Sequence, residues 1–261
     1  MQRLAIEQRK RLGDRACWHP GDIAWARWQH PGRESEWEIR TWDDHAWSWL
    51  RLDTGVLDHD VHPDHPDLLD EILAEPRARK AWAFADDEEQ LAILARHGFV
   101  TPGEQLHFLV RDLSEPPGLP DLPQGFRART VEAADLAERV AVHRDVWSPS
   151  RVTEESYAAV RAAWPYRATL DCAVEAPDGR FAAYALLWPD DETGVGELEP
   201  VGVRDEFRRR GLGAAVCTFA LRRWFEEGGH RAIVYCMSEG ACALYESIGF
   251  RRHATLVELS R

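Results

Sequence analysis

From residue 126 onward, apolar and polar positions form short alternating stretches and longer stretches with a helical period. Alternation predicts half-buried strands, whereas apolar residues three and four positions apart predict amphipathic helices. Pro177-Asp178-Gly179 separates two strand-like stretches and predicts an antiparallel hairpin. The predicted order is β-α-α-β-β-β-α-β-α-β, with strands at 126–131, 170–176, 180–188, 195–203, 231–237 and 254–259, and helices at 132–147, 153–164, 213–229 and 241–249.

The first part of the chain shows a similar but incomplete order, beginning with a predicted helix at 4–12 that no strand precedes. Eight of the 12 tryptophans lie within residues 1 to 82. Trp47 and Trp49 share one face of a strand-like stretch, which favours a role in the core over stacking on a ligand. Further strand-like patterns cover 21–29, 35–42, 45–61, 81–84 and 105–113, and further helical patterns cover 67–75 and 87–98.

A proline-rich segment separates these two parts. Residues 114–124 contain four prolines and a glycine, which are incompatible with a helix or a central strand. We therefore predict two domains, at 1–113 and 126–261, joined by a linker at 114–125.

The composition limits the classes of partner. The 261 residues carry a formal net charge of -13, which argues against a nucleic-acid partner and mildly favours a neutral or cationic substrate. Five cysteines without a C-x-x-C pair are typical of reduced thiols. No apolar run reaches the roughly 20 residues needed to cross a bilayer. We expect a cytoplasmic protein without a membrane partner, and a homodimer is compatible with the sequence.

The strongest chemical pattern lies between Val203 and Gly213, where a predicted strand runs through a basic, glycine-containing turn into a helix. Backbone N–H groups at a helix start lack intrahelical partners and carry partial positive charge, and glycines let a phosphate group approach them. Arginine in the first turn of a helix opposes the helix dipole and so favours an anionic partner. The alternative is an ordinary solvated basic turn.

This R-x-x-G-x-G turn after a V-x-V strand, followed some thirty residues later by ALYESIGF, resembles the GNAT acetyltransferase superfamily over the whole second half. The resemblance implies an α/β fold with a mixed sheet, and acetyl-CoA or another acyl-CoA as co-substrate. It implies that Val201 to Val203 pair with the pantetheine arm, and it puts Ser238 where relatives often carry Asn. The residues that it places at the CoA pyrophosphate are Arg208, Arg209, Arg210, Gly211, Leu212, Gly213 and Ala214.

The same resemblance suggests an acid and a base for acyl transfer. Tyr245 of the ALYESIGF segment corresponds to the family's tyrosine, whose hydroxyl can protonate a departing thiolate. An amine with a pKa of about 10 needs a base before it can attack a thioester. Glu197 lies at the spacing from Gly211 where many relatives carry a catalytic glutamate. Glu199 is the reserve candidate, because the family usually has a bulge in this strand that changes which side chains face the site. The alternative is that both carboxylates only bind nearby arginines or solvent.

The first half resembles a degenerate and truncated second copy of the same fold. Its strand-turn-helix segment at 61–73 has no glycine in the turn and carries Asp64 and Asp67 where an anion would lie. Gly55 stands opposite Glu197, and Leu94 stands opposite Tyr245. The chain thus resembles tandem GNAT proteins of the mycothiol synthase type, in which the second half is the working one.

These observations predict an acyl-CoA-dependent N-acyltransferase that acts on a primary amine of a small molecule by direct transfer in a ternary complex. A catalytically silent acyl-CoA-binding module is the alternative, and an aminoacyl transferase using tRNA is disfavoured by the charge.

The acceptor pocket is expected near Trp147 and Ser148. His59, His62 and His65 are spaced three apart, but Pro63 and Pro66 prevent a continuous helix, and we expect no metal.

Overall fold

Eleven strands and eight α-helices alternate along the chain, and the computed structural model describes all 261 residues. The strands are β1 (Trp37–Trp42), β2 (Ala46–Arg51), β3 (Leu57–Val61), β4 (Lys80–Phe84), β5 (Thr101–Asp112), β6 (Arg127–Thr130), β7 (Asp171–Glu175), β8 (Phe181–Asp190), β9 (Val195–Val203), β10 (Arg231–Cys236) and β11 (Arg251–Ser260). The helices are α1 (Gln2–Leu12), α2 (Pro20–Trp28), α3 (Asp67–Leu73), α4 (Glu88–Arg96), α5 (Leu136–Val146), α6 (Glu154–Ala162), α7 (Leu212–Glu226) and α8 (Glu239–Ser247).

The two halves repeat one order of elements. The order predicted for the second half is confirmed from β6 to β11, and the first half shows the same order from its second element onward. In this repeat, α1 and α2 correspond to α5 and α6, and β3, α3 and β4 correspond to β9, α7 and β10. The mixed α/β class predicted from the sequence is therefore confirmed.

The prediction of a strand at 21–29 is wrong, because this segment forms α2. Pro20 occupies the first helical position, the side chain of His19 accepts a hydrogen bond from the N–H of Gly21, and Asp22 accepts one from the N–H of His19. These contacts satisfy the N–H groups that a helix start leaves without partners. Trp25 then packs with core residues of the second half. Capping and tertiary packing outweigh the short alternation of apolar residues.

The two halves exchange their last strands within one eight-stranded sheet. The strand order is β4-β11-β5-β10-β9-β8-β7-β6, so that β11 pairs with β4 and β5 of the first half, while β5 pairs with β10 of the second. Residues 114–125 contain no helix or strand. The division into 1–113 and 126–261 stays a prediction about the sequence, since the sheet is continuous across it.

Aromatic residues of the first half lie mainly in the interior. Trp47 and Trp49 are 1% and 2% exposed and pack with Leu4, Ala5 and Ile23 in a small cluster under the three-stranded sheet β1-β2-β3. Their predicted core role is confirmed. None of the helices has the length and apolar character that crossing a bilayer requires.

Candidate active site

Strands β9 and β10 are paired over only part of their length. Their parallel register ends where Glu197 faces Ile233. Beyond this point β10 pairs with β5 and β9 pairs with β8. On β9, Glu199 and Pro200 stand opposite the single residue Leu186, which is a bulge that bends the strand. The two strands therefore diverge, and one backbone edge of β9 beyond Glu197 has no strand partner.

A cavity of about 990 Å³ extends from this divergence into the interface between the two halves. Glu199, Val201, Ser238 and Tyr245 line it from the second half. Residues of α1, β3, β4 and α4 line it from the first half. The structure thus brings both candidate proton-transfer groups that face the cavity, Glu199 and Tyr245, to the free edge of β9.

The predicted position of the acceptor pocket needs correction. Trp147, at the end of α5, lines the cavity, whereas Ser148 does not, and α6 contributes no lining residue. The first half supplies most of the wall because its elements pack across the mouth of the diverging strands. The two helices after the linker therefore play a smaller part than the sequence predicts.

The predicted pyrophosphate turn connects β9 to α7. Arg209 and Gly211 adopt left-handed backbone conformations with φ of 60° and 77°. A side chain added at Gly211 would meet no atom within 4 Å, so the space in front of the helix is open. The start of α7 has no side-chain cap, which leaves its first N–H groups available to an anion. The structure brings together all seven predicted residues, Arg208, Arg209, Arg210, Gly211, Leu212, Gly213 and Ala214.

Side chains around the turn complete an anion-accepting surface. Arg208 is exposed and pairs with Asp205 at 2.9 Å between Nη2 and Oδ1. The guanidinium carbon of Arg210 lies 5.6 Å from the ring centroid of Phe207. Gly213 is buried in the first turn of α7. Exposed guanidinium groups beside open N–H groups fit a pyrophosphate group.

Glu197 and Glu199 lie on the same side of β9 but in different surroundings. Glu197 is fully buried, and neither of its carboxyl oxygens has a hydrogen-bond partner. Glu199 lines the cavity, and its backbone carbonyl accepts a hydrogen bond of 2.6 Å from the indole of Trp188. Burial raises the pKa of Glu199 to about 8 and raises the pKa of Glu197 well above its usual value. The geometry favours Glu199, the reserve candidate, over Glu197 as the carboxyl group that meets a ligand.

A third carboxyl group, which the sequence analysis missed, belongs to this cluster. Carboxyl oxygens of Asp22, Glu197 and Glu199 lie within 4.8 Å of one another, and Asp22 also lines the cavity. Asp22 comes from α2 in the first half, far from β9 in the sequence. The His19-Pro20-Gly21-Asp22 pattern could have predicted the start of a helix. It contains no information about contact with β9.

Tyr245 and Ser238 lie on or next to α8, on the side of the cavity formed by β10. Tyr245 is 7% exposed, and burial raises the pKa of its hydroxyl well above the usual value, so this hydroxyl stays protonated at neutral pH. The Oγ of Ser238 accepts a hydrogen bond of 3.2 Å from the N–H of Ala241 and caps α8. Its hydroxyl hydrogen is free to contact a ligand in the cavity.

The corresponding positions of the first half have different contacts. Two nitrogens of Arg11 donate hydrogen bonds to the carboxylate of Asp64, in the turn that corresponds to the pyrophosphate turn. Leu94, which corresponds to Tyr245, is fully buried in the core. Gly55, opposite Glu197 in the sequence comparison, has a left-handed conformation with φ of 73°.

The three histidines considered as metal ligands contact different neighbouring residues. His59 lines the cavity, and its Nε2 lies 3.3 Å from the side-chain nitrogen of Gln90. The ring of His65 stacks on His45 at a centroid distance of 3.9 Å, and the ring of His62 lies 6.0 Å from that of His65.

Replacing Glu197 with glutamine should stabilise the protein at alkaline pH. Because the pKa of Glu197 is raised in the folded state, its contribution to stability is fully present below the usual glutamate pKa of about 4.3 and decreases as the pH rises. Glutamine is uncharged at every pH and has nearly the same shape. We expect the melting temperature at pH 8.5 to rise by about 4 °C, as roughly 1 to 2 kcal/mol produces in a protein of this size.

Thermal unfolding of wild type and Glu197→Gln at pH 4 and pH 8.5 measures this effect. The two proteins should melt at nearly the same temperature at pH 4, since Glu197 is then protonated in the folded state and mostly protonated in the unfolded state. An equal difference at both pH values would contradict the pKa shift.

Comparison with known proteins finds sequences similar to this chain. The sequence model of the Acetyltransferase (GNAT) family matches residues 138–250. A mycothiol acetyltransferase of Arthrobacter sp. (strain FB24) is 28% identical over 223 residues, which cover 76% of this chain and 68% of that protein.

Two solved structures show the same fold over the full length of the chain. A GCN5-related N-acetyltransferase from Sphaerobacter thermophilus superposes with a TM-score of 0.69 at 18% identity and covers 100% of this chain and 90% of its own. A tandem GNAT protein from the clavulanic acid biosynthesis pathway superposes with a TM-score of 0.67 at 13% identity, covering 100% and 93%. The protein therefore has the same fold as these two proteins, and its residues 138–250 are similar to the GNAT acetyltransferase family.

Proposed function

We propose that the protein is an acyl-CoA-dependent N-acyltransferase, with acetyl-CoA as donor and a primary amine of a small molecule as acceptor. One observation carries the proposal. Glu199 and Tyr245, whose proton-transfer roles are opposite, line a single cavity at the free edge of β9. This edge leads directly into the open turn at Gly211.

The donor fits along β9 and the start of α7. The N–H and C=O groups at the free edge of β9 from Val201 to Val203 need hydrogen-bond partners, and the amides of an extended pantetheine arm can provide them as a neighbouring strand would. The N–H groups behind Gly211 and the guanidinium groups of Arg208 and Arg210 can hold the pyrophosphate. The thioester end of the donor then reaches the cavity between Glu199 and Tyr245.

Acyl transfer needs one group that accepts a proton and one that supplies it. The acceptor amine enters as an ammonium ion, and Glu199 receives a proton from its nitrogen. The nitrogen then forms a bond with the thioester carbon, and the bond from that carbon to sulfur breaks. Tyr245 gives its hydroxyl proton to the departing thiolate, because burial keeps this hydroxyl protonated until a stronger base appears.

The acceptor is proposed to be neutral or cationic apart from its amine. Asp22, Asp58, Asp60 and Glu199 line the cavity, and Asp58 is paired with Arg51 at 3.1 Å. Among the lining residues the only arginine is Arg15, which pairs with Asp86 at 2.9 Å. An anionic acceptor would find no unpaired arginine or lysine there.

The five free thiols are consistent with the cytoplasm as the proposed compartment.

Transfer to a panel of small amines tests the proposal. Acetyl-CoA is incubated with the protein and each primary amine, free CoA thiol is measured over time, and the acetylated amine is identified by mass spectrometry. We expect release of thiol that depends on a primary amine and is absent with its N,N-dimethyl analogue, which cannot form a neutral amide. Calorimetric binding of acetyl-CoA without turnover by any amine would instead support a silent acyl-CoA-binding module.

A further inference from the structure

The start of α2 is fixed against the sheet of the second half at the position of the carboxyl cluster. A side chain at Gly21 would lie only 2.3 Å from Cβ of Trp188, so the helix backbone touches strand β8 directly. The Nε2 of His19, which is fully buried, lies 3.2 Å from the carbonyl oxygen of Val195 at the start of β9. These two contacts hold Asp22 between Glu197 and the cavity.

The tautomer of His19 follows from its partners. Its Nδ1 accepts a hydrogen bond of 3.0 Å from the N–H of Gly21, so the ring proton lies on Nε2 and is donated to Val195. Burial lowers the pKa of His19 to about 3, and the ring is therefore neutral. His19 supplies no positive charge to Glu197, although its Nδ1 lies 3.4 Å from Oε2.

The three carboxyl groups therefore have to share protons. Two carboxyl groups can hydrogen bond to each other only when one of them is protonated. Burial raises the pKa of Glu199 to about 8 and that of Glu197 well above its usual value, whereas Asp22 has a pKa of about 6, raised by burial. At neutral pH the cluster carries one negative charge, which lies on Asp22, and a carboxyl oxygen of each glutamate lies within 4.8 Å of an Asp22 oxygen.

The neighbours of Asp22 support this distribution of charge. The backbone N–H of His19 donates to its Oδ2 at 2.8 Å. The buried guanidinium group of Arg9, which donates to the backbone carbonyls of Gly13 and Trp18, lowers the pKa of Asp22. The remaining titratable groups close to the cluster are Cys17, Tyr235 and Tyr245, and burial keeps all three protonated.

We propose that Asp22, a residue of the first half, is the final acceptor of the proton that leaves the acceptor amine. The ammonium nitrogen loses a proton to one carboxyl oxygen of Glu199. The proton on the other oxygen of Glu199 passes to Asp22 when their carboxyl oxygens, which lie within 4.8 Å of each other, come into hydrogen-bond contact. One N–H bond and one O–H bond break and two O–H bonds form, so the neutral amine is produced and Asp22 becomes neutral.

This inference rests on the proposed function and gives the first half a chemical role. Protonated Glu199 cannot by itself accept a proton from the amine, because it has to lose its own proton at the same time. Asp22 removes this obstacle, since its carboxylate lies next to Glu199 and can take up the proton that Glu199 loses. The degenerate half thus supplies the negative charge of the active site, although its own turn and tyrosine positions are occupied by other residues.

Replacement of Asp22 with asparagine tests the inference. With an acceptor identified from the amine panel, we expect kcat to fall about 30-fold, somewhat less than the complete loss of a general base. The KM for acetyl-CoA should stay within about twofold, because Asp22 lies away from the pyrophosphate turn. Asp22→Glu should restore part of kcat. Asp121→Asn makes the same chemical change at an exposed residue of the segment 114–125 that does not line the cavity, and it should leave kcat unchanged.

Infrared difference spectroscopy provides a measurement that needs no acceptor. The carbonyl band of protonated Glu199, identified by its absence in Glu199→Gln, should disappear near pH 8 in the wild type and at a lower pH in Asp22→Asn. The shift is expected because the variant lacks the negative charge that favours the protonated form of Glu199.

The possible outcomes separate the two proposals. Wild-type turnover with full activity of Asp22→Asn, or an unchanged Glu199 titration in that variant, would overturn the role of Asp22 and leave the acyltransferase proposal standing. Absence of turnover in the wild type would overturn the acyltransferase proposal and the proton path with it. A shifted Glu199 band in that case would still establish that Asp22 and Glu199 share a proton.

Discussion

Glu199→Gln should lower kcat for amine acetylation by about a thousandfold, which lies within the range for removal of a general base. Glutamine keeps the size of the side chain and the contact of the backbone carbonyl with Trp188, but it cannot accept a proton from an ammonium ion. Binding of acetyl-CoA should be nearly unchanged, because Glu199 lies on the acceptor side of the cavity. Steady-state kinetics with the identified amine and calorimetric titration of acetyl-CoA measure the two quantities.

Glu197→Gln is the matched control, since it makes the same chemical change two residues away on the same strand. The side-chain amide stays next to Asp22 without a charge, and Glu197 does not line the cavity. We expect a decrease in kcat of less than about tenfold. A large loss of kcat in Glu197→Gln, with a small one in Glu199→Gln, would show that Glu197 is the base and that the cavity opens differently during catalysis.

Gly211→Asp should weaken binding of acetyl-CoA about a hundredfold without unfolding the protein. A side chain at this position points into open space, and aspartate tolerates the left-handed conformation better than most residues. A carboxylate at the start of α7 also interacts favourably with the helix dipole. The same carboxylate repels a pyrophosphate, by about 2 to 3 kcal/mol at this exposed position, which corresponds to roughly a hundredfold in Kd.

Gly211→Asn provides the control for shape and backbone conformation. Asparagine has almost the same size as aspartate and adopts the left-handed conformation equally well, but it carries no charge. We expect its Kd for acetyl-CoA, measured by calorimetry, to change less than about tenfold. Equal losses of affinity in the two variants would indicate a steric effect, and unchanged affinity in both would exclude the turn at Gly211 as the anion site.

The exchange of the last strands explains why the two halves have to be considered together. Strand β11 of the second half lies between β4 and β5 of the first, and β5 completes the pairing of β10. The cavity is lined from both sides of this continuous sheet. A degenerate first half is therefore compatible with an active second half, because it builds the wall of the cavity and brings Asp22 to the cluster.

The sequence by itself determined the features that depend on neighbouring residues. The order of elements from β6 to β11 follows from apolar periodicity, and the open turn follows from the basic residues and Gly211 at the end of a strand. Resemblance of short motifs then indicated Tyr245 and the pair Glu197 and Glu199. These features could be predicted because periodicity and turn conformation are local properties of the chain.

Only the tertiary structure decided which residues meet. The local alternation at 21–29 predicts a strand, but α2 forms there because its cap and its packing on β8 stabilise a helix. Alternation also leaves Glu197 and Glu199 equivalent, whereas the bulge and the packing of α2 bury the first and leave the second at the cavity. Strand exchange and the position of Asp22 depend on contacts between residues distant in the sequence, and no local pattern contains such contacts.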